Sequence, residues 1–129
     1  MLQNILMPHF NALTPMFWTR EIDATVAFYT EVLGFDCALH EENWAVLMRD
    51  EVEIMLSLPN PHLPFDEPAF TGSFYINTTS VDELWKAVKD KCNICYPIEN
   101  FEYGMREFAI YDNNDYILQF GQPINREEE

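Results

Sequence analysis

The chain has 129 residues, of which 48% are hydrophobic and 15% aromatic, a composition that suits one compact domain and excludes a disordered chain. Its formal net charge of −15 argues against the basic footprint on which nucleic-acid binding depends, so we expect no nucleic-acid partner. No apolar run is long enough to span a membrane, and residues 1–10 lack a signal-peptide pattern, so we predict a cytoplasmic protein without a membrane partner.

The first half of the chain predicts one strand, one helix and three further strands. Residues 12–19 predict a strand, and residues 21–34 carry apolar side chains at helical spacing. Gly34 is a residue type that commonly follows the last turn of a helix. The three further strands are predicted over residues 35–41, 44–49 and 52–58. The proline-rich residues 59–69 predict a connector without regular structure.

The second half predicts the same order of elements. Residues 73–78 predict a strand, and the sequence from Ser80 to Glu83 predicts a capping box at the start of a helix. In such a box the Ser80 hydroxyl and the Glu83 carboxylate each accept a hydrogen bond from a backbone amide. The three further strands are predicted over residues 92–98, 106–111 and 116–120. Residues 112–115 predict a tight polar turn between the last two strands.

The two halves correspond at an offset of 59 residues, which pairs Thr14 with Ser73 and Ile22 with Val81. This correspondence predicts an internal duplication of two βαβββ modules. We therefore expect a single α+β domain over residues 1–129. Its parts are module one over about 10–58, the connector over 59–69 and module two over about 70–122.

The three cysteines, Cys37, Cys92 and Cys95, are an odd number, which argues against a disulfide framework. Cys92 and Cys95 form a C-x-x-C pattern, but they follow a predicted helix, where the helix dipole does not favour a thiolate. The chain holds no second such pair to complete a zinc site. We therefore interpret these cysteines as structural.

Two segments resemble signatures of the glyoxalase / bleomycin-resistance / extradiol dioxygenase superfamily, which has the vicinal-oxygen-chelate fold. Residues 28–35, F-Y-T-E-V-L-G-F, resemble its F-Y-x-x-x-L-G-F signature, and residues 106–120 resemble its closing R-E-F-x-x-x-D-P-D-G-x-x-x-E-F hairpin. The resemblance covers about residues 12–122. It implies two modules that form a cupped, mixed and mostly antiparallel sheet with helices outside and the ligand inside the cup.

The resemblance also implies where a metal would bind, because the metal-dependent members use residues on the first and last strands of each module. The matching positions here are Thr14, Glu53, Ser73 and Gln119, where the family pattern expects imidazole and carboxylate ligands. The three histidines, His9, His40 and His62, are predicted elsewhere. We therefore expect no tightly bound transition metal and no cofactor.

No arrangement of nucleophile, base and acid can be assembled from the residues placed above, so we assign no catalytic residues. Aromatic side chains that could reach the cup suit a cationic or aromatic ligand, and the alternative is that they fill a closed core. Arg106 is interpreted as a partner in a structural ion pair. The predicted ligand-binding residues are Trp18, Trp44, Tyr75, Tyr103, Phe108 and Gln119.

The resemblance favours a metal-free small-molecule-binding protein of the bleomycin-resistance type, an antibiotic-resistance function, with its ligand in the cleft of a homodimer. A homodimer is expected because short strands leave sheet edges unpaired, and family members pair a module of one chain with a module of its partner. The alternative is an enzyme, a metal-dependent lyase or dioxygenase with an atypical site. A structural or regulatory dimer is a third possibility.

Overall fold

The computed structural model of the protein describes residues 8–9 and 12–124. The elements in chain order are β1 Met16–Trp18, α1 Ile22–Ala27, β2 Asp36–His40, β3 Trp44–Arg49, β4 Val52–Ser57, β5 Phe74–Asn77, α2 Val81–Val88, β6 Asn93–Asn100, β7 Met105–Tyr111 and β8 Ile117–Pro123. No helix of the described ranges has the length and apolar character needed to cross a membrane.

Each half of the chain forms one four-stranded sheet. The strand orders are β1-β4-β3-β2 and β5-β8-β7-β6, so the two sheets have the same topology. In each sheet the first strand is parallel to the last, and the other neighbours are antiparallel. Ile22 and Val81, which correspond at the 59-residue offset, each begin the helix of their half. The predicted α+β fold of two βαβββ modules is confirmed.

The first helix differs from the predicted continuous helix over residues 21–34. The α-helical part ends at Ala27, and Phe28–Val32 continue as a wider π-helical turn. Gly34 ends the segment with a φ of +70°, the left-handed conformation that glycine adopts without steric strain. Arg49 of β3 donates a hydrogen bond to the carbonyl of Leu33 at 2.5 Å and so satisfies one of the last carbonyls of the helix.

The predicted capping box at Ser80 is wrong, because the Ser80 side chain makes no capping hydrogen bond. The amide of Val81 instead donates to Oε1 of Gln122 on β8 at 2.8 Å. Gln122 of β8 thus accepts a hydrogen bond at the start of α2, the role that was predicted for Ser80. Local pattern cannot reveal this contact, since Gln122 is 41 residues away in sequence.

The two modules meet at an apolar centre formed by Phe17 of β1. Its ring lies 4.7 Å from the ring of Phe74 and 4.7 Å from that of Tyr116, and both of these belong to module two. The Tyr116 hydroxyl donates to the backbone carbonyl of Trp18 at 2.8 Å. Aromatic packing and this long-range hydrogen bond therefore help to join the modules.

A buried polar network lies beside this centre. The hydroxyl of Tyr29, on the π-helical turn of module one, donates to the carboxylate of Asp112 in the β7–β8 turn at 2.7 Å. Asp112 also accepts hydrogen bonds from the amides of Asn114 and Tyr116, at 2.8 and 2.9 Å. Tyr29 and Asp112 are almost completely buried, so this network fixes one module against the other without access to water.

The network predicts a pH dependence of stability. Burial raises the pKa of Asp112 above its ordinary value of 3.8, although the hydrogen bonds from Tyr29 and two backbone amides lower it in part. The folded protein therefore holds the Asp112 proton more tightly than the unfolded chain does. This proton contributes stability that is fully present below pH 3.8, and the contribution is lost as pH rises through the raised pKa of the folded state.

We expect the wild-type protein to become more stable relative to Asp112→Asn as pH falls, as measured by the difference between their free energies of unfolding. Asn does not titrate, so the comparison removes the contribution of the other carboxylates. Urea denaturation over a pH series that runs down from neutral pH measures this difference. A difference that shifts the opposite way would mean that the folded-state pKa is depressed.

Candidate functional site

The two faces of the second sheet carry different chemistry, because neighbouring residues of a strand point to opposite faces. On β7, Phe108 is fully buried and packs against Trp85 of α2. Glu107, one position away, therefore lies on the face turned away from the helix. The sheet register places Tyr75 beside Gln119 on this same face. We call the face defined by Glu107, Gln119 and Tyr75 the open face of module two.

Glu107 is the centre of the open face, and its carboxylate is fully buried. Tyr75 Oη donates to Oε1 of Glu107 at 3.0 Å, and Tyr96 Oη donates to Oε2. Gln119 Nε2 lies 3.4 Å from the same Oε2. Within the part of the chain that the structure describes, no salt bridge reaches this carboxylate. Neutral donors surround it there, whereas buried carboxylates are usually paired with a cation.

The Tyr75 side chain occupies space that is free because Gly121 has no side chain. Gly121 lies on β8, where it is the cross-strand neighbour of both Asn77 and Glu107. A Cβ atom at position 121 would lie 2.0 Å from Tyr75 Oη and 3.1 Å from Cβ of Glu107. Any side chain here would push the Tyr75 ring away from the carboxylate. The absence of a side chain at this position is therefore part of how the cluster is built.

The hydrogen-bond donors of the cluster point in one direction, toward Glu107. Ser73 Oγ donates to Gln119 Oε1 at 2.5 Å, and Gln119 Nε2 donates to Tyr96 Oη at 2.8 Å. Tyr96 in turn donates to Glu107. The Glu107 carboxylate determines which way the Gln119 side-chain amide faces. If the amide were reversed, its oxygen would lie 3.4 Å from Glu107 Oε2 and would be repelled.

The two tyrosine hydroxyls that contact Glu107 keep their protons at neutral pH. Burial, with a further contribution from the hydrogen bond to Glu107 and its negative charge, raises the pKa of Tyr75 to about 12. Burial also raises the pKa of Tyr96, and its hydrogen bond to Glu107 adds to this effect while that from Gln119 opposes it. Both tyrosines therefore act as hydrogen-bond donors to the carboxylate.

A depression of about 480 Å³ opens beside this cluster. Tyr96 and Gln119 line it, and both also contact Glu107. The remaining wall consists of Ile117, Cys95 and the chain segment 70–73 at the end of the connector. The depression is thus open to solvent, and its wall combines polar side chains with apolar ones.

A second cavity, of about 670 Å³, lies between β1 and the connector. Trp18 lines it and meets the ring of Phe65 edge to face at 5.9 Å. Arg20 holds this part of the connector, because it donates to the carbonyl of Phe65 at 3.0 Å and its guanidinium lies 5.3 Å from the ring. Asp66 and Glu67 also line the cavity and give it an acidic rim.

The predicted ligand-binding residues lie in different places. Tyr75 and Gln119 share the cluster around Glu107, and Gln119 also lines the depression. Trp18 lines the connector cavity instead. Trp44 is half-buried at the start of β3, in module one. The structure therefore groups two of these residues and separates the two tryptophans from them.

Tyr103 and Phe108 lie outside both cavities. Tyr103 is 64% exposed in the loop between β6 and β7 and stacks on Phe101 at a ring distance of 5.4 Å. Desolvation and the neighbouring Glu107 carboxylate raise the pKa of Tyr103 to about 12, so its hydroxyl also lies near the Glu107 cluster. Phe108 was predicted to reach the cup, but it points to the opposite face of β7 and packs in the core against Trp85 and Phe120. The physical reason is strand alternation, since Glu107 takes the open face and Phe108 must take the other.

The four positions that the family pattern gives to metal ligands form two hydrogen-bonded pairs. Thr14 Oγ1 donates to Glu53 Oε2 at 3.0 Å in module one, and Ser73 Oγ donates to Gln119 Oε1 in module two. One carboxylate, one amide oxygen and two hydroxyls lack the imidazole that transition metals prefer, so this donor set fits such a metal poorly. Each pair also uses its own oxygen atoms in an internal hydrogen bond.

The histidines and cysteines do not supply the missing ligands. His9 and His62 are exposed, and His40 bonds to Asp23 at 2.8 Å. Among the described residues, no group of three His, Cys, Asp or Glu side chains has a metal-binding arrangement. The three cysteines are free thiols, and burial raises the pKa of Cys92, which is the opposite of what a reactive thiolate requires.

Sequence reasoning missed the two residues at the centre of the site, Glu107 and Tyr96. Glu107 lies two positions before Ala109, the cross-strand neighbour of Gln119, so strand alternation could have placed it on the same face as Gln119. Tyr96 could not be found in this way. Its strand changes register on both sides of it, which breaks the alternation that assigns a side chain to a face.

The comparisons with known proteins agree with this fold. The family model described as Glyoxalase/Bleomycin resistance protein/Dioxygenase superfamily matches residues 7–120. A bleomycin resistance protein of Geobacillus stearothermophilus is 31% identical over 126 residues, covering 85% of this chain and 95% of its own.

Two solved structures show the same fold at lower identity. A protein of unknown function from Agrobacterium tumefaciens C58 has a TM-score of 0.77 at 16% identity, covering 94% of this chain and all of its own. The bleomycin-binding protein of Streptomyces verticillus, solved with copper(II)-bleomycin, has a TM-score of 0.68 at 22% identity, covering 88% of this chain and 97% of its own. The chain therefore belongs to the glyoxalase/bleomycin resistance protein/dioxygenase superfamily.

Proposed function

We propose that this protein is a metal-free small-molecule-binding protein of the bleomycin-resistance type that holds a cationic or aromatic ligand. The observation that carries the proposal is the depression on the open face of module two, where Tyr96 and Gln119 lie beside the buried Glu107. The curated relative described above is a bleomycin resistance protein, which supports a binding role.

The charge of the protein supports a cationic ligand. The chain carries a net charge of −15, and no Lys or Arg lines either of the two cavities in the described residues. Arg106, which lies on β7 near the site in sequence, makes a bidentate contact with Asp82 on α2 instead. An acidic surface attracts cations and repels anions over a distance of about 10 Å at moderate salt.

We further propose that the complete binding cleft forms in a homodimer. The depression is lined by module two and the end of the connector, whereas the second cavity is lined by β1 and the connector together with Phe74 and Tyr116 of module two. Met16 and Met48 of module one are 50% and 39% exposed, so its sheet offers an apolar surface that a partner can cover. A two-fold dimer would place a module of the partner over each depression.

The proposal predicts saturable binding of bleomycin without metal. We expect isothermal titration calorimetry of protein purified in the presence of a chelator to show one bleomycin per chain. Sedimentation velocity should show a dimer at micromolar concentration. A panel of cationic, neutral and anionic aromatic compounds, followed by tryptophan fluorescence, tests the breadth of the site.

The controls separate this proposal from the enzymatic alternative. Metal analysis of protein purified without a chelator is expected to find no stoichiometric zinc, nickel, iron or manganese. A stoichiometric metal that is lost in Gln119→Ala would support a metal-dependent lyase or dioxygenase. A monomer that binds none of these compounds would overturn the binding role.

A further inference from the structure

We propose that the depression on the open face of module two binds a cationic nitrogen group that carries N–H donors, such as a primary ammonium or a guanidinium, and that buried Glu107 supplies its countercharge. The inference rests on the proposed function and specifies which chemical group this site recognises and which residue selects it. Glu107 acts as a positioning and electrostatic residue, since Tyr96 and Gln119 stand between it and the depression.

Glu107 holds a buried negative charge. Its side chain is fully buried, and the described part of the chain gives it hydroxyl and amide donors but no salt bridge. Placing an unpaired carboxylate in a protein interior is unfavourable by several kcal/mol in general, so such a group is seldom kept without a role. Tyr96 and Gln119 line the depression and also contact this carboxylate, so one side chain separates a cation in the depression from the charge.

The hydrogen bonds of the cluster all run toward Glu107. Ser73 donates to Gln119, Gln119 donates to Tyr96, and Tyr96 donates to Glu107. Tyr75 also donates to Glu107. The protons of these groups are therefore used inside the cluster. What remains for a ligand are lone pairs on oxygen atoms, such as the second lone pair of Gln119 Oε1. These lone pairs are complementary to a ligand group that offers donors, and the hydroxyl of Thr71, which also lines the depression, can accept as well as donate.

The wall of the depression is partly aromatic. The rings of Tyr96 and Phe70 line the depression, and Phe70 stacks on Phe74 at a ring distance of 4.6 Å. Aromatic faces attract cations through their quadrupole and tolerate the carbon skeleton next to the charged group. No basic residue lines the depression to compete for Glu107. The charge of Glu107, the oxygen acceptors and the aromatic side chains thus all favour a cationic group that carries N–H donors.

Three small probes of similar size test this inference. Benzylammonium carries charge and donors, benzyl alcohol carries a donor without charge, and phenylacetate carries a negative charge. Titrations followed by two-dimensional NMR measure each dissociation constant, and the side-chain amide signal of Gln119 reports binding at the depression. We expect benzylammonium to bind at least about ten-fold more tightly than benzyl alcohol, and phenylacetate to cause no shift.

Two variants connect this preference to Glu107. Glu107→Gln removes the charge with little change in shape, and we expect it to abolish the preference for benzylammonium over benzyl alcohol. Gly121→Ala keeps the charge but displaces Tyr75, and we expect it to weaken benzylammonium binding while the preference persists. Glu83→Gln is the matched control, since it removes the same charge from an exposed position on α2 and should leave the preference unchanged.

The outcomes separate this inference from the proposed function. Equal binding of benzylammonium and benzyl alcohol by the wild-type protein would overturn the inference even if bleomycin binds, and this result needs no variant to fold. An unchanged preference in folded Glu107→Gln would also overturn it. Glu107-dependent binding of benzylammonium without any binding of bleomycin would support the inference and overturn the bleomycin-resistance role.

Discussion

Replacing Asp112 by alanine is expected to destabilise the protein by about 3–5 kcal/mol, a large part of the stability of an ordinary domain. Asp112 accepts hydrogen bonds from Tyr29, Asn114 and Tyr116, and the first of these connects the two modules. In Asp112→Ala the fully buried hydroxyl of Tyr29 loses its acceptor and no water can reach it. Leaving a buried donor unsatisfied is unfavourable by about 1–3 kcal/mol each.

Asp112→Asn should have a smaller effect, because its amide oxygen can still accept the two backbone hydrogen bonds. Asp112→Asn also removes the cost of burying a charged carboxylate, the same cost that raises the pKa of Asp112 in the folded state. Chemical denaturation measures all three proteins, with Asp90→Ala at an exposed position as the control. A change below about 1 kcal/mol in Asp112→Ala would show that the network does not hold the modules together.

Phe108→Ala is expected to lower the unfolding free energy by about 3–5 kcal/mol while leaving the ligand preference of the protein unchanged. The Phe108 ring is fully buried, 5.1 Å from the Trp85 ring and 5.3 Å from the Phe120 ring. Its loss opens a cavity between the sheet and α2, on the side away from Glu107. The emission of Trp85 should change, because the indole loses an aromatic neighbour.

Tyr103→Ala provides the matched comparison, since it also removes an aromatic ring that was predicted to bind ligand. Tyr103 is 64% exposed, so its removal should change stability by less than about 0.5 kcal/mol. Thermal and chemical denaturation give the two stabilities, and titration with benzylammonium gives the binding. A selective loss of ligand binding in folded Phe108→Ala would contradict its assignment to the core.

The fold could be predicted from the sequence because its signals are local and occur twice. The helix of each module begins at positions that correspond in the two halves, Ile22 and Val81, and Gly34 takes the left-handed conformation expected of a glycine after a helix. The closing hairpin was also predicted, with Asp115 in the turn at a φ of 65°. Repeated elements of this kind need no knowledge of distant contacts.

The site could be predicted only in part because it depends on contacts between distant strands. The hydrogen bond that the Val81 amide at the start of α2 donates to Gln122 depends on the position of β8. The placement of Tyr96 against Glu107 depends on how β6 lies beside β7. The family pattern drew attention to Gln119 as the residue that replaces a metal ligand. It gave no sign that this side chain would bridge a tyrosine and a buried carboxylate.

The most direct test of the account is a crystal structure of the protein with bound bleomycin, grown in the presence of a chelator. The account predicts a dimer in which a nitrogen group of the ligand lies within hydrogen-bond distance of Tyr96 or Gln119, with a module of the partner covering the other side. Density for a metal ion coordinated by Glu53 or Gln119, or a ligand bound away from the open face of module two, would contradict it.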